Sequence, residues 1–142
     1  MSCVVEIARS WRGTPYVHQA AAKGAGTDCL GLIRGIWSEF YGVELPEAPA
    51  YTRDWSEPLG QETLWAAARE HLVKKRLDEE APGDVILFRM RDRAVAKHLG
   101  VTGRIGAEAS FIHAYTGHGV VESPLSLPWR KRIVARFEFP KG

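Results

Sequence analysis

The feature that most limits how this chain can fold is a change of hydrophobic period at Ala81-Pro82-Gly83. Before it, apolar side chains recur at three- and four-residue steps, the repeat of an amphipathic helix. Residues 3–11 put Val4, Ile7, Ala8 and Trp11 on one face, and Gly13 ends that element. Leu32, Ile33, Ile36, Trp37 and Phe40 recur in the same way, so a helix is predicted over 28–41 with Gly42 as its stop. A third helix is predicted over 59–77, with Leu64, Ala67, Ala68, Leu72 and Val73 inward and Lys74-Lys75-Arg76 at its negative end. After Gly83 the chain becomes a series of short apolar runs bounded by turn residues, at 84–90, 97–103, 110–115, 119–122 and 132–139. Helices first and strands afterwards predict an α+β fold, N-terminal helices packed on a roughly five-stranded antiparallel sheet.

Between these elements, residues 17–27 are small, polar and glycine-bearing, and read as a loop leading to the second helix. Pro46, Pro49 and Pro58 break any regular element over 44–58, a surface loop that Tyr51 and Trp55 are expected to pin down. No repeat, low-complexity segment or internal boundary interrupts the chain, so residues 1–142 are read as one domain, long enough to bury a core without staples. A formal charge of +2 is too small to imply a nucleic-acid partner. No run reaches the length of a membrane span, and the N-terminus lacks the basic and apolar regions of a signal peptide. Synthesis in the cytoplasm without a secretion address is therefore expected.

The candidate chemistry lies in Gly26-Thr27-Asp28-Cys29-Leu30-Gly31-Leu32. Asp28 is a favoured N-cap residue, and Cys29 falls in the first turn, where unpaired N–H groups and the helix dipole favour negative charge. A thiol there is expected to ionise more easily, and the thiolate is the reactive form. The two cysteines, Cys3 and Cys29, form no CxxC pair, and both are read as free thiols. A buried cysteine often serves only as a small hydrophobe, so a nucleophile needs a partner elsewhere in the chain.

His98 and His113 supply one. Both fall inside predicted strands, and a hairpin centred between Ile105 and Gly106, with a four-residue loop, places them directly opposite each other with Cβ atoms ~5 Å apart. One imidazole facing Cys29 as base while the other orients it is the logic of a triad. That pairing predicts a bell-shaped pH–rate profile with one limb for each of two groups. Zinc is an alternative reading, since His98, His113, His118 and Cys29 are ligand types, but their spacing matches neither HExxH nor a paired-ligand pattern. His71 reads as a solvated residue on an exposed helix side.

Six stretches in order carry a family likeness: Arg12-Gly13-Thr14-Pro15-Tyr16, Asp28-Cys29-Leu30-Gly31-Leu32, Gly42-Val43-Glu44-Leu45-Pro46, Pro82-Gly83-Asp84-Val85, His98-Leu99-Gly100-Val101 and Phe111-Ile112-His113-Ala114. With them the sequence resembles the NlpC family of cell-wall peptidases, compact relatives of the papain-like cysteine peptidases. The resemblance implies a papain-like NlpC fold with Cys29 as nucleophile, His98 as general base and His113 orienting His98. It further implies Tyr16, Asp28 and His18 as the oxyanion- and substrate-binding set, with Asp28 also capping its helix. The reaction implied is acyl transfer from a peptidoglycan stem peptide to water, with no metal or organic cofactor. Two positions depart from the common pattern: Leu30 stands where many members have serine, and His18-Gln19 follow Val17 where many carry Gly-Gly. Both leave open whether the bond is the family's usual γ-D-glutamyl–diaminopimelate link.

Within the family the chain is most similar to short peptidases encoded among tail genes of phages and of gene transfer agents. The matching details are His18-Gln19, Leu30, Tyr51-Thr52 with Asp54-Trp55, and Val121-Glu122-Ser123-Pro124 before a basic C-terminal strand. That likeness implies a component of a phage-like particle, assembled in the cytoplasm on a tail hub or baseplate protein, that opens peptidoglycan during DNA delivery. Two other readings stand beside it. One is a structural tail-tip adaptor that docks through a strand at Trp129-Arg130-Lys131-Arg132. The other is a thiol acyltransferase that passes the acyl group to an amine or lipid.

Overall fold

The computed structural model describes residues 3–45, 63–91 and 95–140. Three helices, α1 (Cys3–Ser10), α2 (Cys29–Tyr41) and α3 (Thr63–His71), precede most of the sheet. A small hairpin of β1 (Ala21–Ala22) and β2 (Gly26–Thr27) stands between α1 and α2. The remaining strands are β3 (Val73–Lys75), β4 (Val85–Phe88), β5 (His98–Thr102), β6 (Ser110–Tyr115), β7 (Gly119–Pro124) and β8 (Ile133–Glu138), with a one-turn helix α4 (Leu127–Arg130) before β8. They form one sheet in the order β3-β8-β4-β5-β6-β7, with every pairing antiparallel. The α+β architecture therefore holds. The expected roles of Tyr51 and Trp55 lie outside the described residues.

Strand alternation sorts the core into two layers. Leu87, Leu99, Val101, Ile112 and Ala114 face the helices and pack with Leu32, Ile36, Ala8 and Trp11. Ile86, Phe88 and Phe111 face the other way and pack with Leu125 and the half-buried Trp129. All four residues of β4 are buried, as their unbroken apolar run requires. The second face is thus covered by the short segment around α4, and the two histidines lie under that cover.

The helix that carries Cys29 is set at both ends by its sequence. Asp28 Oδ1 accepts the N–H of Gly31 at 2.8 Å, a cap worth about 1 kcal/mol. At the far end Gly42 adopts a left-handed φ of 75° and donates its N–H to the Ser38 carbonyl at 2.9 Å. The 17–27 stretch crosses the first turn so closely that a Cβ on Gly31 would sit 1.9 Å from the Ala20 carbonyl oxygen. That carbonyl in turn accepts the Asp28 N–H at 3.2 Å. Gly31 is therefore the residue that lets the loop dock over the helix start.

Two expectations are corrected. Residues 17–27 are not wholly loop, since Ala21 pairs with Thr27 and Ala22 with Gly26. The third helix stops at His71, and residues 73–75 leave it to form an edge strand against Glu138, Phe137 and Arg136 of β8. Ala67 and Val73 are exposed rather than inward. The reason is electrostatic as much as steric: the extended backbone carries Lys75 Nζ to the Asp84 carboxylate at 2.9 and 3.1 Å. Asp84 also accepts from Arg136 Nη1 at 3.0 Å, and Arg136 reaches Thr102 Oγ1 at 3.1 Å. Both Asp84 and Arg136 are buried, so each needs the other, and the third helix gives up its last turns to complete the set. The sheet consequently has six strands where five were expected.

Candidate active site

Cys29 opens α2 and is buried, with its Sγ donating to the Lys97 carbonyl at 3.7 Å. Lys97 immediately precedes His98, so this contact holds the sulfur at the start of β5. A cleft of about 160 Å³ brings together Tyr16, His18, Asp28, Cys29, His98 and Tyr115. Five of the six residues singled out in the sequence thus line one cavity, and the sixth, His113, stands one step behind His98.

Tyr16 and His18 reach the cleft because their turn is strapped to the strand before the helix. Thr27 N donates to the Pro15 carbonyl at 2.9 Å, and Val17 N donates to the Thr27 carbonyl at 3.0 Å. Gln19, at a left-handed φ of 63°, donates its N–H to Asp28 Oδ2 at 2.7 Å. Both carboxylate oxygens of Asp28 therefore accept backbone N–H groups, one from the helix and one from the loop. His18 Nδ1 lies 3.9 Å from Asp28 Oδ2 at the cleft rim.

The histidine pair forms, but with a different register from the one expected. β5 and β6 pair Val101 with Ile112 and Thr102 with Phe111, two residues away from the pairing that would set His98 against His113. The connection is longer than four residues, because Gly106–Glu108 form a 3-10 turn and Ser110 N bonds back to the Arg104 carbonyl. A two-residue shift preserves the face, so the rings meet on a diagonal. Gly100 keeps that diagonal narrow, since a Cβ there would stand 2.9 Å from the Phe111 ring. His98 Nε2 and His113 Nδ1 are 2.7 Å apart.

The chain of polar contacts continues to a residue that the sequence reading did not assign. His113 Nε2 lies 2.9 Å from Ser123 Oγ on β7. If the Ser123 oxygen accepts the His113 Nε2–H, His113 Nδ1 is an acceptor and takes the proton that His98 holds on Nε2. His98 Nδ1 then keeps a lone pair for the thiol proton. The opposite orientation would put a proton on His98 Nδ1 and leave it unable to act as base, so only one direction of the chain is productive. The run read from the sequence stops at residue 122, whereas β7 continues to Pro124 and pairs Val121 with His113, which puts Ser123 diagonal to His113 on the same face.

The surroundings of the rings are aromatic. Trp129 lies 5.8 Å from the His98 ring and 5.2 Å from the His113 ring, and Phe111 lies 4.2 Å from His113. Phe88 lies 5.7 Å from His98, and Tyr115 stacks on His118 at 5.3 Å. Trp129 is thus a cover over the histidines from α4, and the strand expected at residues 129–132 begins only at Ile133. Proline at the first turn and the need to roof the two rings favour a helical turn there.

Burial inside this cage opposes the expectation of an easily ionised thiol. It pushes Cys29 up to about 12, and the neighbouring Asp28 charge adds to the rise. Backbone N–H groups of Leu99, Leu30 and Cys29 pull the other way but do not prevail. Burial also lowers His98 to about 4. It lowers His113 to about 3, with further contributions from the charges of His98 and His118. The resting site therefore favours a neutral thiol beside neutral imidazoles over a separated ion pair. Among the described residues no group of three or more His, Cys, Asp or Glu side chains is arranged to hold a metal ion. No helix of the described residues is long and apolar enough to cross a membrane.

Comparison with known proteins gives this geometry a setting. The sequence profile of the NlpC/P60 family matches residues 13–137. The chain is 28% identical over 123 residues to the Murein DD-endopeptidase MepS/Murein LD-carboxypeptidase of Escherichia coli K12, covering 86% of this chain and 54% of that protein. It is 27% identical over 138 residues to the Gamma-DL-glutamyl hydrolase of Bacillus subtilis 168, covering 95% of this chain and 29% of that one. The chain thus spans about half the length of the first of these relatives and less of the second. Among solved structures, the NlpC/p60 domain of the peptidoglycan hydrolase SagA aligns over 96% of both chains with a TM-score of 0.64 and 18% identity. At that identity the likeness concerns the fold.

Proposed function

This chain belongs to the NlpC/P60 family, and on that premise we propose that it is a cysteine peptidase that cuts peptide bonds in peptidoglycan stem peptides. The observation that carries the reading is the ordered chain from the cleft inward, Cys29 and His98 on one cavity and His98 Nε2 at 2.7 Å from His113 Nδ1. Packing alone does not require two imidazoles and a hydroxyl in series under an aromatic roof.

In the mechanism, substrate enters the cleft and His98 Nδ1 takes the Cys29 proton as the sulfur attacks the stem-peptide carbonyl carbon. Because both groups are neutral at rest, proton transfer accompanies attack. The positive charge that forms on His98 is held by its Nε2–H bond to His113, which Ser123 keeps in the accepting tautomer. The Cys29 backbone N–H and the Tyr16 hydroxyl face the developing oxyanion. His98 returns its proton to the departing amine, leaving a thioester on Sγ. Water then attacks that carbonyl, His98 accepts the water proton, and the released thiolate recovers it. Asp28 shapes this site by fixing the loop and helix start together, and His18 sits where it can contact the substrate flank.

The setting we propose is a phage-like or gene transfer agent particle, with the enzyme on a tail hub or baseplate protein and acting in the cell wall during delivery. It rests on the tail-type sequence details around His18-Gln19, Leu30 and Val121-Glu122-Ser123-Pro124. Digestion of purified Gram-negative peptidoglycan by wild type and Cys29→Ala, with fragments read by mass spectrometry, tests the activity. New peptide fragments from wild type alone are expected, and their masses name the bond. Equal release by the two proteins would overturn the mechanism, and none from folded wild type would favour the adaptor reading.

A further inference from the structure

The catalytic cleft, at about 160 Å³, is below the roughly 300–1,000 Å³ of sites that enclose a drug-sized ligand, so it takes little beyond the groups at the scissile bond. A peptide of several residues must continue elsewhere on the surface. Met90 lines that cleft and also lines a second, larger groove of about 530 Å³, so the two adjoin at this residue.

The groove has a structural origin. β4 and β8 lose register between Leu87 and Phe88, where Leu87 faces Ala135 but Phe88 faces Ile133, leaving Val134 as an extra residue. Such a bulge twists and splays the strand end. Here the Arg89 N–H still meets the Arg132 carbonyl at 2.8 Å, and the groove opens beside that last contact. Its apolar lining is Met90, Leu127, Pro128 and Val134, with Leu127 63% exposed. Its cations are Lys131 and Arg132, with Arg89, which has an interaction of its own, beside them, and among the described residues no carboxylate lines it. Arg130 does not line the groove and pairs with Glu80 at 2.7 Å. Arg132 lies over the Trp129 ring at 5.7 Å, which steadies it at the groove edge. A groove that sets apolar side chains beside Lys131 and Arg132, with no carboxylate among its described lining residues, fits an extended peptide that carries carboxylates.

We propose that this groove is the continuation of the substrate cleft and binds the carboxylate-bearing part of a peptide lying beyond the bond that is cut. The inference rests on the peptidase reading above and adds where the rest of the substrate lies and what chemistry recognises it. Peptidoglycan stem peptides carry free carboxylates, which supplies the complementary charge.

The test is direct binding to Cys29→Ala, which cannot turn over the ligand. The probes are the tetrapeptide stem from Gram-negative peptidoglycan and the same peptide with its carboxylates amidated. The acidic peptide is expected to bind about 10-fold tighter at low salt, with most of that preference lost at roughly 0.5 M salt, as for a few exposed ion pairs. Adding Lys131→Glu, or Lys131→Glu with Arg132→Glu, is expected to abolish the preference. Lys74→Glu, the same charge change on an exposed edge-strand residue, is expected to keep it. Equal affinity for the two peptides, or a preference lost as fully in Lys74→Glu, would overturn the proposal. Normal peptide binding by the Lys131→Glu/Arg132→Glu variant would also overturn it and leave the groove to an acidic protein partner. A wild type that binds with the expected preference yet releases no fragments from peptidoglycan would instead sink the peptidase reading while the groove assignment stands.

Discussion

Replacing Ser123 by alanine removes one hydroxyl on β7, across the His113 ring from His98, and its effect follows from the tautomer chain. In the wild type the His113 Nε2 and Ser123 Oγ are 2.9 Å apart, and this bond favours the tautomer that lets His98 keep its proton on Nε2. A neutral hydrogen bond contributes about 1 kcal/mol net, and a buried donor left without an acceptor costs about 1–3 kcal/mol. Released by that amount, the population of the productive tautomer changes by a factor of about 5 to about 160. Ser123 is half-buried, so water relieves part of the loss and the lower part of that range applies. kcat/KM on a stem-peptide substrate is therefore expected to fall about 10-fold in Ser123→Ala and to recover in Ser123→Thr. Nitrogen chemical shifts of the His113 ring, read by NMR, are expected to show the second tautomer growing in the alanine variant. A folded Ser123→Ala with kcat/KM within a factor of about two of wild type and an unchanged His113 tautomer would refute the chain as drawn.

Other expectations follow from burial and packing. His98 must be neutral to act as base, and burial lowers it to about 4, so kcat/KM is expected to stay level through mildly acid pH and fall only as pH drops through about 4. An acid limb near 6.5 would show that His98 is hydrated rather than caged. The same depression makes folding pH-dependent: the unfolded histidines bind protons from about pH 6.5 downward while the folded ones do not, so stability is present at neutral pH and lost on acidification. For either ring alone the loss reaches about 3 kcal/mol at pH 4, measurable as a falling Tm. Asp84→Ala strands the buried Arg136 charge and is expected to cost about 3–5 kcal/mol by urea denaturation, with Arg136→Met in the same chain recovering much of it. Gly31→Ala drives a methyl to 1.9 Å from the Ala20 carbonyl and is expected to cost about 1–3 kcal/mol as the loop over the helix shifts; unchanged stability would show that the loop gives way freely.

The parts of this molecule that were legible in the sequence are those fixed by local signals. Asp28 and Gly42 bound their helix as a capping residue and a left-handed glycine should, and the run at Ser110–Tyr115 forms a strand over the residues read for it. What could not be read depended on contacts between distant residues. Helix propensity over 72–77 yields to the need to bring Lys75, with Arg136, to the Asp84 carboxylate, which no window of local sequence displays. The hairpin register set His98 and His113 on one face, but the 3-10 turn at Gly106–Glu108 moved them from opposite to diagonal. Helix position alone favours an ionised thiol, whereas burial, visible only in the fold, pushes the thiol the other way. Ser123 and Trp129 complete the surroundings of the histidines only after β7 and α4 fold over them.

The measurement that tests the central claim most directly is the fate of a stem peptide cleaved in the presence of hydroxylamine. If Cys29 forms a thioester, hydroxylamine competes with water for it, and wild type should yield peptide hydroxamate alongside the free acid. Cys29→Ala should yield neither product. Cleavage that survives Cys29→Ala, or wild-type cleavage that never forms hydroxamate, would contradict a thioester on Cys29.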